Sequence, residues 1–194
     1  MKYALIIGNE IFQKYIANEL LKNHQPVCVI IEQFDNIKIN NTNKMKTAYL
    51  YGKLINLINR FYNDLKSKKY FYKYNSEIRK VFPVNQKIQT SEIYCTNSIN
   101  NNEVIEYLNK FKFDIIICVG TSIIKSQILS IYENKILNLH TSILPNYRGV
   151  LAEFWSLYYA DYNNIGVSLH HLKRTLDSGD IVAQMQTKYN NQDT

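Results

Sequence analysis

Apolar positions along the 194-residue chain change their period several times, and each change marks an element. Tyr3 to Ile7 is a continuous apolar run closed by Gly8-Asn9, which predicts a buried strand and a turn. Ile11, Phe12, Tyr15, Ile16, Leu20 and Leu21 then recur at helical spacing, so a helix is predicted over Ile11 to Lys22. Val27 to Ile31 follows Pro26 as a second β-branched run. It completes a strand-helix-strand unit whose crossover is expected to be right-handed. Residues 33–90 interrupt the alternation and read as an insertion. Within it Tyr49, Leu50, Leu54, Ile55, Leu57, Ile58, Phe61, Tyr62 and Leu65 predict one amphipathic helix. Alternation resumes with a strand at Ile93 to Cys95 and a helix at Asn101 to Phe111, whose first turn holds Glu103 and Glu106 where the helix dipole favours acids. Ile115 to Val119 is the strongest strand, closed by Gly120-Thr121-Ser122. A short helix from Lys125 to Tyr132 and a strand from Ile136 to Leu139 come next. Leu151 to Ala160 predicts a helix, and Gly166 to Leu172 and Ile181 to Lys188 predict strands flanking a loop at Asp177. The expected fold class is α/β: a Rossmann-like, mostly parallel twisted sheet flanked by helices.

Composition narrows this picture. The length suits a single domain spanning 1–194, the insertion included. No stretch reaches the roughly 20 apolar residues that a membrane span requires. The first strand is followed by polar, charged sequence instead of a small-residue cleavage site, so it reads as a strand and not a signal peptide. Cys28, Cys95 and Cys118 are odd in number and widely spaced, so no disulfide and a reducing, cytoplasmic location are expected. The net charge of +7 is localised. Between Lys44 and Lys80 ten basic residues stand against Asp64 and Glu77, and the rest of the chain is close to neutral. A solvated helical face, a phosphate-bearing substrate, a lipid headgroup and RNA are the readings open to that run. Its confinement to one insertion argues against a nucleic-acid ligand for the whole domain.

The chemistry is concentrated late in the chain. Three of the four histidines and four of the six glycines lie between Gly120 and Gly179. Open α/β sheets place ligands at the carboxyl ends of their strands, where Gly120-Thr121-Ser122 and Asn138-Leu139-His140 both sit. On a strand, Asn138 and His140 share a face. An asparagine amide can donate to a developing oxyanion, and a histidine can donate to the same atom or relay a proton. Taken singly, Asn138 also reads as a turn or cap residue, His140 as a structural histidine, and Asp177 as an ordinary acidic turn. A carboxylate at Asp177 that reached His140 would fix its tautomer and favour its charged form. Metal is not expected: there is no His-x-x-x-His or Cys-x-x-Cys pair, and the adjacent His170-His171 would face opposite sides of a strand. A Gly-x-Ser-x-Gly elbow, a P-loop and a Gly-x-Gly-x-x-Gly turn are all missing from the sequence.

The segments Asn138-Leu139-His140-Thr141-Ser142-Ile143-Leu144-Pro145-Asn146-Tyr147-Arg148-Gly149, Gly166-Val167-Ser168-Leu169-His170 and Leu176-Asp177-Ser178-Gly179-Asp180-Ile181 resemble, in this order, the folate-dependent formyltransferase family. The resemblance covers about residues 113–186. It implies catalytic roles for Asn138, His140 and Asp177 and N10-formyltetrahydrofolate as co-substrate, without a metal. It also implies a pterin site formed by Val119, Gly120, Ile123, Ile124, Leu172 and Thr175, and substrate contacts from Ser142, Tyr147 and Arg148.

Within that family the Tyr147-Arg148-Gly149 turn and the Glu153-Phe154-Trp155-Ser156-Leu157 continuation look most like sugar N-formyltransferases of surface-polysaccharide pathways. The implied partner is a nucleotide-linked amino sugar, a dTDP-type 3- or 4-amino sugar, with a homodimer as an admissible assembly. The alternatives are formyl transfer to methionyl-tRNA or glycinamide ribonucleotide, hydrolysis of formyltetrahydrofolate, and a truncated non-catalytic binding module. Methionyl-tRNA formyltransferases usually begin with a Gly-rich turn, which Gly8-Asn9 does not match. The family's core continues past the Asp-Ile strand into another helix, so a truncation at the C-terminus is also expected.

Overall fold

The structure, a computed structural model, describes residues 1–33, 80, 82 and 87–187. The chain divides into two compact units, residues 1–34 with 87–194, and residues 35–86. The expected amphipathic helix from Tyr49 to Leu65 lies outside the described residues, as does all of the basic run except Lys80.

In the first unit the described residues form one seven-stranded sheet. Its strands are β1 (Tyr3–Gly8), β2 (Cys28–Glu32), β3 (Ile93–Thr96), β4 (Ile115–Val119), β5 (Ile136–His140), β6 (Gly166–His171) and β7 (Ile181–Gln186). The spatial order is β3-β2-β1-β4-β5-β6-β7. Strands β1 to β5 pair in parallel, and β6 and β7 are added antiparallel. The fold is the Rossmann-like, mostly parallel α/β sheet that the sequence predicts. Its order reverses between β1 and β4, the position at which such sheets open a crevice.

β1 and β2 are buried at every residue, because central parallel strands are covered on both faces. Alternate residues feed two cores. Ala4, Ile6, Cys28, Ile30, Ile116, Cys118 and Ile136 face helices α2 (Asn102–Leu108) and α3 (Ser126–Ile131) through Val104, Leu108 and Ile128. Tyr3, Leu5, Ile7, Val29 and Ile31 face Ala17 and Leu21 of α1 (Ile11–Asn23). Each fully buried Ile or Leu contributes about 1.5–3 kcal/mol. Burial pushes the Cys28 thiol up to about 12 and raises that of Cys118, so both behave as small apolar residues.

Two glycines close the crevice. A Cβ at Gly8 would lie 2.4 Å from the carbonyl oxygen of Gly120, and Gly120 itself has φ +59°. Beyond β5 the chain forms α4 (Ala152–Tyr158) and a short 3₁₀ turn at Tyr162–Asn164 before entering β6. A cleft of about 310 Å³ lined by Lys2, Phe111, Phe113, Tyr132 and Lys135 opens at the amino ends of β1, β4 and β5. It is remote from the residues that carry chemistry.

Candidate active site

The register of β5 against β6 builds the site. Asn138 lies opposite His170 and His140 opposite Ser168, so all four side chains share one face of the sheet. The loop after β6 then brings Asp177 over that face. Its Oδ2 is 3.8 Å from His140 Nδ1, and its Oδ1 is 3.6 Å from His170 Nε2. Asn138, His140 and Asp177, far apart in sequence, therefore meet at one place, and His170 meets them there.

Hydrogen-bond partners fix the tautomers. His170 Nδ1 lies 3.0 Å from the His171 carbonyl, which only accepts, so Nδ1 carries the proton. Nε2 is left to accept from the Asn138 amide at 3.2 Å. That bond uses one of the two amide protons and leaves the other for a ligand. His140 donates through Nε2 to the Tyr147 carbonyl at 2.9 Å, which turns Nδ1 toward Asp177. Asp177 is buried and holds φ +44°, a left-handed conformation that Asp tolerates better than most residues. Its Oδ2 accepts from the Gly149 amide at 2.8 Å, which ties the aspartate loop to the Tyr147-Arg148-Gly149 turn.

Burial, more than any neighbour, lowers the His170 pKa from its ordinary 6.5; the His171 carbonyl and Asp177 oppose it in part. The unfolded chain then binds a proton at this residue that the folded chain refuses. The stabilisation is full above pH 6.5 and is lost as pH falls through the depressed folded-state value. Thermal unfolding followed from about pH 8 to about pH 5 should show Tm falling less steeply in His170→Gln than in the parent chain. Parallel curves would show that His170 does not contribute.

The turn from Thr141 to Gly149 is held by the scaffold. Ser168 Oγ donates to the Ser142 carbonyl at 2.6 Å and accepts from the Leu144 amide at 3.0 Å. Gln184 Nε2 reaches both Ser168 Oγ and the Leu144 carbonyl, at 2.9 and 2.8 Å. Ser142, expected at the substrate, is fully buried with its hydroxyl donating to the Asn164 carbonyl. The Tyr147 hydroxyl donates to Asp161. Both side chains shape the turn, whereas Arg148 is exposed and forms no ion pair with the described residues.

The residues expected around the pterin divide in the same way. Val119 and Ile124 are buried, and Leu172 is half-buried against the α2–α3 core. Gly120, Thr175 and Ile123 are exposed, Ile123 to 75%. Among the described residues no cluster of three His, Cys, Asp or Glu side chains is arranged to hold a metal ion.

His170 is the residue that sequence reasoning left without a role. Its signal was present in the Gly166-to-His170 segment, but which of His170 and His171 faces Asn138 is settled by strand pairing.

The family described as formyl transferase matches residues 1–194, the whole chain. The chain belongs to the formyl transferase family. It is 38% identical over 102 residues to the methionyl-tRNA formyltransferase of Finegoldia magna, covering 52% of this chain and 33% of that protein. Over 103 residues it is 36% identical to the bifunctional polymyxin resistance protein ArnA of Wigglesworthia glossinidia brevipalpis, covering 53% and 16% respectively. The chain thus spans a third or less of the length of these two relatives. Phosphoribosylglycinamide formyltransferase from Anaplasma phagocytophilum has the same fold, with a TM-score of 0.61 at 16% identity, covering 100% of this chain and 75% of that one. In this member of the family no helix of the described residues is long and apolar enough to cross a membrane.

Proposed function

We propose that the chain transfers a formyl group from N10-formyltetrahydrofolate to the amine of a nucleotide-linked amino sugar, a dTDP-type 3- or 4-amino sugar. The observation that carries this reading is the meeting of Asn138, His140 and Asp177 on one face of β5–β6, tied to the Gly149 turn through the Asp177 carboxylate.

The folate supplies an activated formyl carbon, and Gly120 and Ile123 are the exposed residues that would hold it. As a neutral amine attacks that carbon, negative charge develops on the formyl oxygen. The free amide proton of Asn138 is directed to this charge, and the formyl oxygen replaces the Tyr147 carbonyl as acceptor for His140 Nε2. Asp177 accepts the proton that the attacking amine must lose and returns it to the folate nitrogen as the bond from that nitrogen to the formyl carbon breaks, so that the formamide and tetrahydrofolate are the products. His170 keeps Asn138 oriented by accepting its other amide proton.

Two exposed features suit a nucleotide-linked substrate. Arg148 offers an exposed guanidinium, without an ion-pair partner among the described residues, for a phosphate beside the Asp177 turn. Phe154, Trp155, Tyr158 and Tyr159 of α4 and its end form an exposed aromatic cluster on which a base can stack. A second reading, transfer to methionyl-tRNA, is favoured by the identity with the Finegoldia relative.

The test is to incubate the chain with N10-formyltetrahydrofolate and a panel of nucleotide-linked 3- and 4-amino sugars, aminoacyl-tRNA and glycinamide ribonucleotide, and to look for a formyl mass gain. Gain on a sugar supports the proposal. Gain on another amine, or formate release without any amine, replaces it. Asn138→Ala should lower turnover by about 10² to 10³. Near-normal turnover in that variant would remove Asn138 from the chemistry.

A further inference from the structure

Glu32 ends β2 at the carboxyl edge of the sheet, beside Gly8, and is only 1% exposed. A carboxylate at such a place must be satisfied by donors, and the three that the described residues supply come from two loops. Oε1 accepts from the Ile99 amide at 3.0 Å and from the Ser122 hydroxyl at 2.7 Å, and Oε2 accepts from the Ser122 amide at 2.7 Å. Among the described residues no lysine or arginine faces it. Asn100, one residue beyond Ile99, grips the same loop further along. Its Nδ2 donates to the Ile123 carbonyl at 3.0 Å, and its Oδ1 accepts from the Lys125 amide at 2.7 Å.

The segment after β4 is therefore clamped at Ser122, Ile123 and Lys125 by residues from β2 and from the loop after β3. Two adjacent isoleucines meet opposite fates there: Ile124 is 7% exposed and packs in the core, whereas Ile123 is 75% exposed. A carboxylate that holds donors from two loops fixes those loops relative to each other, and an apolar residue at position 32 would leave the Ile99 and Ser122 amides without an acceptor.

We infer that Glu32, helped by Asn100, is a positioning residue for the formyl donor, holding the Gly120-to-Lys125 loop so that Ile123 is presented as the apolar floor for the folate ring. The inference rests on the folate-donor reading above. Glu32→Gln keeps the shape of the side chain but puts an amide donor in place of one carboxylate oxygen, so the backbone amide of Ser122 or of Ile99 meets donor against donor.

The experiment uses the full chain and two readouts. The first is binding of 5-formyltetrahydrofolate, a folate that does not transfer its group. The second is steady-state kinetics with N10-formyltetrahydrofolate and the accepted amine. Glu32→Gln should weaken folate binding and raise the folate KM by about tenfold, leaving the amine KM within about twofold. Amide exchange in residues 120–125 should accelerate. A purely structural role would move both KM values and kcat together with Tm. If the parent chain binds folate and Glu32→Gln binds it equally well, the inference is overturned while the donor reading stands. If the parent chain binds no folate, the donor reading fails and the inference fails with it. Should Glu32→Gln not fold, Asn100→Ala, at a more open site, carries the same expectation, and an unchanged folate KM in that variant overturns it.

Discussion

Asp177→Asn should reduce kcat/KM by about 10² to 10⁴, the range that a positioned acid-base group supplies, with little change in Tm. The substitution suits this question because of what it preserves. Asn tolerates left-handed backbone as well as Asp does, so φ +44° at this position remains available. An Asn carbonyl can still accept from the Gly149 amide, which keeps the aspartate loop on its turn. What disappears is the negative charge 3.8 Å from His140 Nδ1 and 3.6 Å from His170 Nε2. Asp177→Ala would be less informative, since it also strands the Gly149 amide. Kinetics and thermal unfolding of the same preparation decide the matter. Turnover within about threefold of the parent chain would show that the carboxylate is not part of the chemistry.

Gly179→Ala is expected to damage the same site without touching any reactive group. A Cβ at residue 179 would lie 1.7 Å from the His171 carbonyl oxygen and 2.6 Å from its carbon. Both are backbone atoms at the end of β6, so no side-chain rotation relieves the contact. The His171 amide also donates to the Asp180 carbonyl at 2.9 Å, which leaves the loop no slack. The backbone must part between residues 171 and 179, and Asp177, two residues earlier, moves with it. Overpacking of this kind costs about 1–3 kcal/mol. For a chain of this size that is a fall in Tm of roughly 2–12 °C. Activity should drop even at temperatures where the variant is folded. An unchanged Tm would mean that the loop has room that the close approach denies it.

These outcomes bear on what could be read in advance. β1, β2 and β4 were legible because a central parallel strand has a local signature, an unbroken β-branched run closed by a turn. Asn138 and His140 were legible as a pair because a period of two is a property of the strand alone. The rest depended on partners distant in sequence. His170 enters the site through its pairing with Asn138, 32 residues away. Glu32 is satisfied by Ser122, 90 residues away. Ser142 and Tyr147 carry polar groups in a turn rich in chemistry, yet Asn164 and Asp161 take up those groups from beyond α4. Ile123 and Ile124 are the same residue type in adjacent positions, yet one is exposed and the other buried, in a loop held by Glu32 and Asn100 from elements distant in sequence.

The Gln184 amide, which serves both Leu144 and Ser168, also sets an order of assembly. The turn that carries Tyr147 obtains its last hydrogen-bond donor from a residue 40 positions further along than Leu144. On a ribosome the sheet can grow strand by strand from β1, because each parallel pair needs only what has already emerged. The reactive turn cannot: until β7 has been made and paired, the Leu144 carbonyl lacks its Gln184 partner. Of all parts of this unit, the turn after β5 is therefore among the last to reach its final shape during synthesis.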